Sequence, residues 1–210
     1  QDQVVALDAA TGEERWRRHV GGRVDSPPTY SRGSIVFGSA DGWVYCLRAA
    51  DGVLCWKYFA AKEDRRVNVF GRLESAWPIH GAVLVRDGLA YFASGRSSHL
   101  DGGITLFSLD MTSGEVVHEQ EIAGPDYSID NIEANDQRVL PEGVLSDILS
   151  TDGDAICMRG YRFNLDLTDM RPDAQPLSAK GGMLNGSYFR RMHWSIGVDG
   201  NYAQQVAIGG

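Results

Sequence analysis

ALDAATGEERW runs from Ala6 to Trp16, CLRAADGVLCW from Cys46 to Trp56, and SLDMTSGEVVH from Ser108 to His118. In each copy a Leu stands five residues before a Gly, and a Trp, Trp or His stands four residues after it. Val4, Ala6 and Asp8 alternate with Val5 and Leu7, so the run before the turn predicts a strand with two faces. The turn then supplies Gly12, Gly52 or Gly114, and a Gly late in a tight turn accepts φ > 0 without a Cβ clash. A second run leaves the turn carrying the aromatic residue. Two such runs about a Gly turn predict a β-hairpin. The expected role of each Trp is packing between neighbouring sheets.

The segments ahead of these hairpins also recur. PTYSRGSIVFGS (Pro28–Ser39) aligns with VLVRDGLAYFAS (Val83–Ser94), and LSTDGDAICMR (Leu149–Arg159) is a third copy. Each is strand, short Gly turn, strand. One unit therefore holds four antiparallel strands in roughly 40 residues, the size of a propeller blade. The fold class expected is all-β: a β-propeller of four-stranded antiparallel blades, present as an incomplete set of about three to four. The expected divisions are a blade end at 1–20, a blade at 26–59, a blade at 79–122 with insertions, and a blade at 144–210 with a long loop. A closed ring needs four to eight blades, so the chain is expected to be a fragment of a longer protein.

The first copy resembles the repeat of the pyrroloquinoline-quinone-binding-like (quinoprotein-like) β-propellers, Ala-x-Asp-x-x-x-Gly-x-x-x-Trp, known as the tryptophan-docking motif. Ala6, Asp8, Gly12 and Trp16 match it. In the second copy Gly52 and Trp56 match, with Cys46 and Arg48 in place of Ala and Asp. In the third, Asp110 and Gly114 match, with Ser108 and His118 in place of Ala and Trp. WPIHGAVLVRDGLAYFASGRSSHLDGGI and YFRRMHWSIG also resemble bacterial members of this group without a settled activity. The resemblance implies a periplasmic or secreted protein. It also implies two functions to weigh: a non-catalytic binding or scaffold module, or part of a pyrroloquinoline-quinone-dependent alcohol or sugar dehydrogenase with Ca²⁺.

Composition narrows the partners. A net charge of −8 disfavours nucleic acid, whose binding rests on Lys and Arg meeting phosphates. No apolar run reaches the roughly 20 residues of a membrane-spanning helix. Cys46 and Cys55 flank the AADG turn symmetrically, so in a regular hairpin they face each other; a disulfide and a pair of packed thiols are both open. No nucleophile elbow, P-loop, dinucleotide fingerprint, haem-attachment motif or metal-ligand spacing occurs, and no catalytic residue is assigned.

Topology places the binding groups. If the strands of a blade run A, B, C, D, the A–B and C–D turns are short. The long segments, 60–78, 95–103, 123–143 and 160–190, are then B–C or D–A connections, all at one end. Long loops on a rigid scaffold are where function concentrates. The candidate binding residues there are Trp77, His80, Arg96, His99, Asp101, Arg190, Arg191 and His193, and the expected ligand is a protein, a glycan or a small molecule.

Overall fold

The structure, a computed structural model, describes residues 2–98, 100–123, 146, 148–158, 161–172, 177–179 and 194–196. They form strands and turns. Strands β1 (Gln3–Leu7) and β2 (Glu14–His19) pair as a hairpin. The first four-stranded sheet is β3 (Thr29–Ser31), β4 (Ser34–Gly38), β5 (Trp43–Arg48) and β6 (Leu54–Phe59), in chain order. Then come a small hairpin, β7 (Arg66–Val69) and β8 (Arg72–Ser75), and a second four-stranded sheet. That sheet is β9 (Leu84–Arg86), β10 (Leu89–Ser94), β11 (Ile104–Asp110) and β12 (Val116–Ile122). The third four-stranded sheet is β13 (Ser150–Thr151), β14 (Ile156–Met158), β15 (Tyr161–Phe163) and β16 (Arg171–Pro172). Strands β17 (Leu177–Ala179) and β18 (Trp194–Ile196) pair with each other. Every pairing is antiparallel between chain neighbours, so each sheet is a meander, the shape of a blade.

The three repeat hairpins share one geometry. Gly12 N donates to Asp8 O, Gly52 N to Arg48 O and Gly114 N to Asp110 O, each at 2.8 Å. Asp8 and Asp110 also cap their turns, Oδ1 accepting from the amides two and three residues on. These bonds hold both carboxyls below the ordinary carboxylate range; Arg15 is the largest contributor at Asp8. Arg48 cannot cap in this way. Instead its guanidinium pairs with Asp51 at 2.7 Å, and Asp51 Oδ1 accepts from Val53 N.

The ladder shifts register at the same place in all three copies, leaving Arg15, Cys55 and Val117 as bulge residues. This corrects the expectation for the cysteines. Trp56, not Cys55, stands opposite Cys46, and both thiols are unbridged, Cys46 buried and Cys55 exposed. Burial and the neighbouring Cys55 thiol push Cys46 up to about 11.

The core lies between consecutive sheets. Val4, Phe37 and Leu47 pack with Trp16 at the first seam. Val36, Val44, Phe92, Phe107 and Leu109 fill the second with Trp56 and Tyr58. Leu106, Ile156, Met158, Phe163 and Leu167 fill the third. Each Trp crosses to the next blade's turn. Trp16 Nε1 donates to Ala49 O at 3.0 Å and Trp56 Nε1 to Met111 O at 2.9 Å. A Cβ on Gly52 would stand 2.6 Å from the Trp16 ring, and one on Gly114 would stand 2.7 Å from that of Trp56. Gly is therefore needed here for φ (67° and 75°) and for the indole's approach.

Two expected loops are built differently. Residues 60–78 contain the hairpin β7–β8, with both central turn residues at positive φ, Phe70 at 48° and Gly71 at 80°. The expected loop at 160–190 begins with two blade strands, β15 and β16, because Tyr161 pairs with Met158 almost at once. Short, mixed segments hide such strands from a period-2 reading. The acidic segment 124–145 lies outside the described residues.

Candidate functional site

Four connections meet at one end of the blades: 20–28, 39–42, 60–83 and 95–103. Backbone bonds tie them together. Ser75 N donates to Ala40 O, Ile79 N to Ser39 O and Gly95 N to Pro78 O, at 2.8, 3.1 and 3.0 Å. The crowding of long connections expected from topology is thus present for the described ones.

Two charged clusters stand on this platform. In the first, Arg65 Nη2 donates to Asp101 Oδ1 at 2.6 Å and Arg96 Nη2 donates to Asp101 Oδ2. Trp77, 3 % exposed, donates its indole N–H to Asp101 O at 2.9 Å, and the Arg65 guanidinium lies 4.8 Å over its ring. Lys62 Nζ braces the same loop through Gly102 O (2.7 Å) and pairs with Glu121 (2.8 Å). Trp77, Arg96 and Asp101 are therefore brought together, with Arg65 between Trp77 and Asp101.

In the second cluster, His80 Nδ1 lies 2.6 Å from Asp25 Oδ2, and Arg23 donates to Asp25 through Nε and Nη2. Arg23 Nη1 also reaches Glu74, 3 % exposed, at 3.0 Å. Burial pushes the Asp25 carboxyl up, but His80 and Arg23 outweigh it and hold it below its ordinary value. Arg23 and Asp25 carried no signal in the sequence. They sit in a short connection, GGRVDS, and their partners arrive from some 50 residues on. His99, Arg190, Arg191 and His193 lie outside the described residues.

The arrangement braces the loops and leaves little chemistry free. Asp101 and Asp25 are each held by two side chains, and among the described residues no group of three or more His, Cys, Asp or Glu could hold a metal ion. A quinone with three carboxylates and a Ca²⁺ would need unpaired cations and a carboxylate cluster; the described residues do not fit that group. A cavity of about 330 Å³ borders this platform at Lys62, between Tyr58, Ala60 and Lys62 on one side and Thr105, Phe107, Glu119 and Glu121 on the other.

Meander blades joined by Trp-to-turn seams, with ion-paired loops at one end, define a quinoprotein-like propeller. A family model of such repeats, described as outer membrane protein assembly factor BamB, matches residues 1–180, and the chain belongs to that family. The outer membrane protein assembly factor BamB of Nitrosomonas eutropha is 26 % identical over 160 residues, 76 % of this chain and 33 % of that protein. The chain thus spans about a third of that relative's length. The BamB structure from Moraxella catarrhalis aligns at TM-score 0.43 and 17 % identity, over 80 % of this chain and 54 % of its own. The quinohemoprotein alcohol dehydrogenase of Comamonas testosteroni aligns at TM-score 0.54 and 15 % identity, over 84 % of this chain and 33 % of its own. At such identities the likeness speaks of fold alone.

Proposed function

We propose that this chain is a non-catalytic propeller module whose braced loop face binds a partner, in an extracytoplasmic protein. The observation that carries the reading is the mutual pairing of the face's charges. Arg65 and Arg96 share Asp101, with Glu63 also against Arg65, and Asp25 pairs with Arg23 and His80, with Glu74 behind them. Paired groups held by backbone bonds make a rigid patterned surface, suited to recognition. A reactive pocket needs groups left able to act on a substrate. The Nitrosomonas eutropha relative is an outer membrane protein assembly factor, which supports a protein as the partner over a glycan or small ligand.

The test is a titration of the chain with pyrroloquinoline quinone and Ca²⁺, following heat and the quinone's absorbance. The expected result is no calcium-dependent binding by the folded chain. Saturable binding that Ca²⁺ strengthens, with an alcohol then bleaching the quinone spectrum, would replace the module with a dehydrogenase.

A further inference from the structure

The hairpin β7–β8 carries a feature that blade packing does not use. At its tip Phe70 is 96 % exposed, and Leu73 beside it is 66 % exposed. Phe70 also holds φ at 48°, a conformation that a bulky side chain adopts at a cost. A Cβ built on Gly71 would meet nothing within 4 Å, so the tip stands clear of the rest of the molecule. Stability alone gives no reason for an aromatic ring there.

The charge around the tip is equally local. Residues 65–73, RRVNVFGRL, hold three Arg and no acidic residue, within a chain of net charge −8. Arg65 turns inward to Asp101 and Trp77, while Arg66 and Arg72 are exposed. Arg66 pairs with Asp64, its Nε donating to Asp64 Oδ1 at 3.4 Å, while Arg72 has no ion pair among the described residues. The tip's one amide side chain is already engaged, because Asn68 Oδ1 accepts from Gly71 N at 2.9 Å. What faces outward is an aromatic ring, a Leu, the Arg72 guanidinium and the Arg66 guanidinium with Asp64 beside it.

We propose that the β7–β8 tip is a membrane-surface contact that inserts Phe70 and Leu73 among the headgroups of an anionic bilayer, with Arg66 and Arg72 against the lipid phosphates. A stable protein interface covers a broad area, and the tip offers only a few side chains. A bilayer interface asks only for apolar depth and positive charge. Salt limits the opposition of the acidic body, because fields fade within about 8 Å at physiological ionic strength. One ring, one Leu and two cations give weak, reversible attachment, which orients the loop face without fixing the molecule.

Flotation of the full chain with vesicles tests this. The chain should float with phosphatidylglycerol–phosphatidylcholine vesicles, less with phosphatidylcholine alone, and less as salt is raised. Phe70→Gly suits the turn's φ and should keep the native melting temperature while weakening partition about tenfold. Replacing both arginines, R66E with R72E, should weaken it by well over tenfold, since each cation near an anionic surface contributes about fivefold. Failure of the wild-type chain to float with anionic vesicles overturns the proposal. So does unchanged flotation of folded Phe70→Gly, or equal flotation with neutral lipid. None of these outcomes bears on the quinone titration, so the two proposals stand or fall separately.

Discussion

At the scale of single residues, Gly52 and Cys55 lead to the clearest expectations. Gly52 meets two demands at once, a positive φ and an indole within contact distance. Gly52→Ala should therefore cost about 1–3 kcal/mol from the backbone alone, and more as Trp16 is pushed aside. Urea melts followed by tryptophan fluorescence measure this; a variant as stable as the parent would show that the seam tolerates a methyl. The thiols differ in reach. Cys55 should react with an alkylating reagent in the native protein, whereas Cys46, buried and pushed up to about 11, should be protected until unfolding. Mass spectrometry of alkylated peptides distinguishes this from a bridged pair, in which neither would react. The sequence placed the two cysteines symmetrically about the turn. It did not show the bulge, because an extra ladder residue leaves no mark in composition.

At the scale of elements, the connections behave as parts of one braced unit. Glu74 is a buried carboxylate answered by Arg23. Truncating one member of a buried pair leaves the other charge uncompensated, so Arg23→Ala should cost about 3–5 kcal/mol. Arg96→Ala, at a more exposed pair, should cost less, and thermal melts of the two variants rank them. Acid should loosen the same brace. The Asp25 carboxyl is held below its unfolded value of about 3.9, so its contribution is intact above that pH and is lost as pH falls through the folded value. Asp25→Asn should melt lower than the parent at neutral pH, with the gap narrowing below about pH 4. Of this site, Trp77, His80, Arg96 and Asp101 were legible because they lie in connections too long for a bare turn. Arg23 and Asp25 were not, since only the folding of distant segments gives them partners. The hairpin β7–β8 was also hidden: NVFG lacks the Asn-Gly that usually announces a two-residue turn.

At the scale of the whole molecule, stability should be graded along the chain. Strands β10 and β11 lie within a four-stranded sheet with hydrophobic clusters on both faces, whereas β1–β2 is a two-stranded sheet packed against one neighbour. Amide exchange should be slowest in β10–β11 and fastest in β1–β2 and β7–β8. Uniform protection across all sheets would contradict it. The blade architecture was legible because a repeat writes its period directly into the sequence, and Gly12, Gly52 and Gly114 mark it. The divisions of the last blade were less so, since three-residue strands such as Tyr161–Phe163 carry no periodicity.

The Trp-to-turn seam also bears on how such a molecule changes length over evolutionary time. The second copy carries both halves of the contact: its Gly52 turn receives the Trp16 indole of the copy before it, and its own Trp56 indole enters the Gly114 turn of the copy after it. Duplicating one copy therefore creates two matched joints with no further substitution, and deleting one rejoins its neighbours in register. His118 stands where the third copy would carry its indole, so that copy lacks the group that makes a forward joint of this kind.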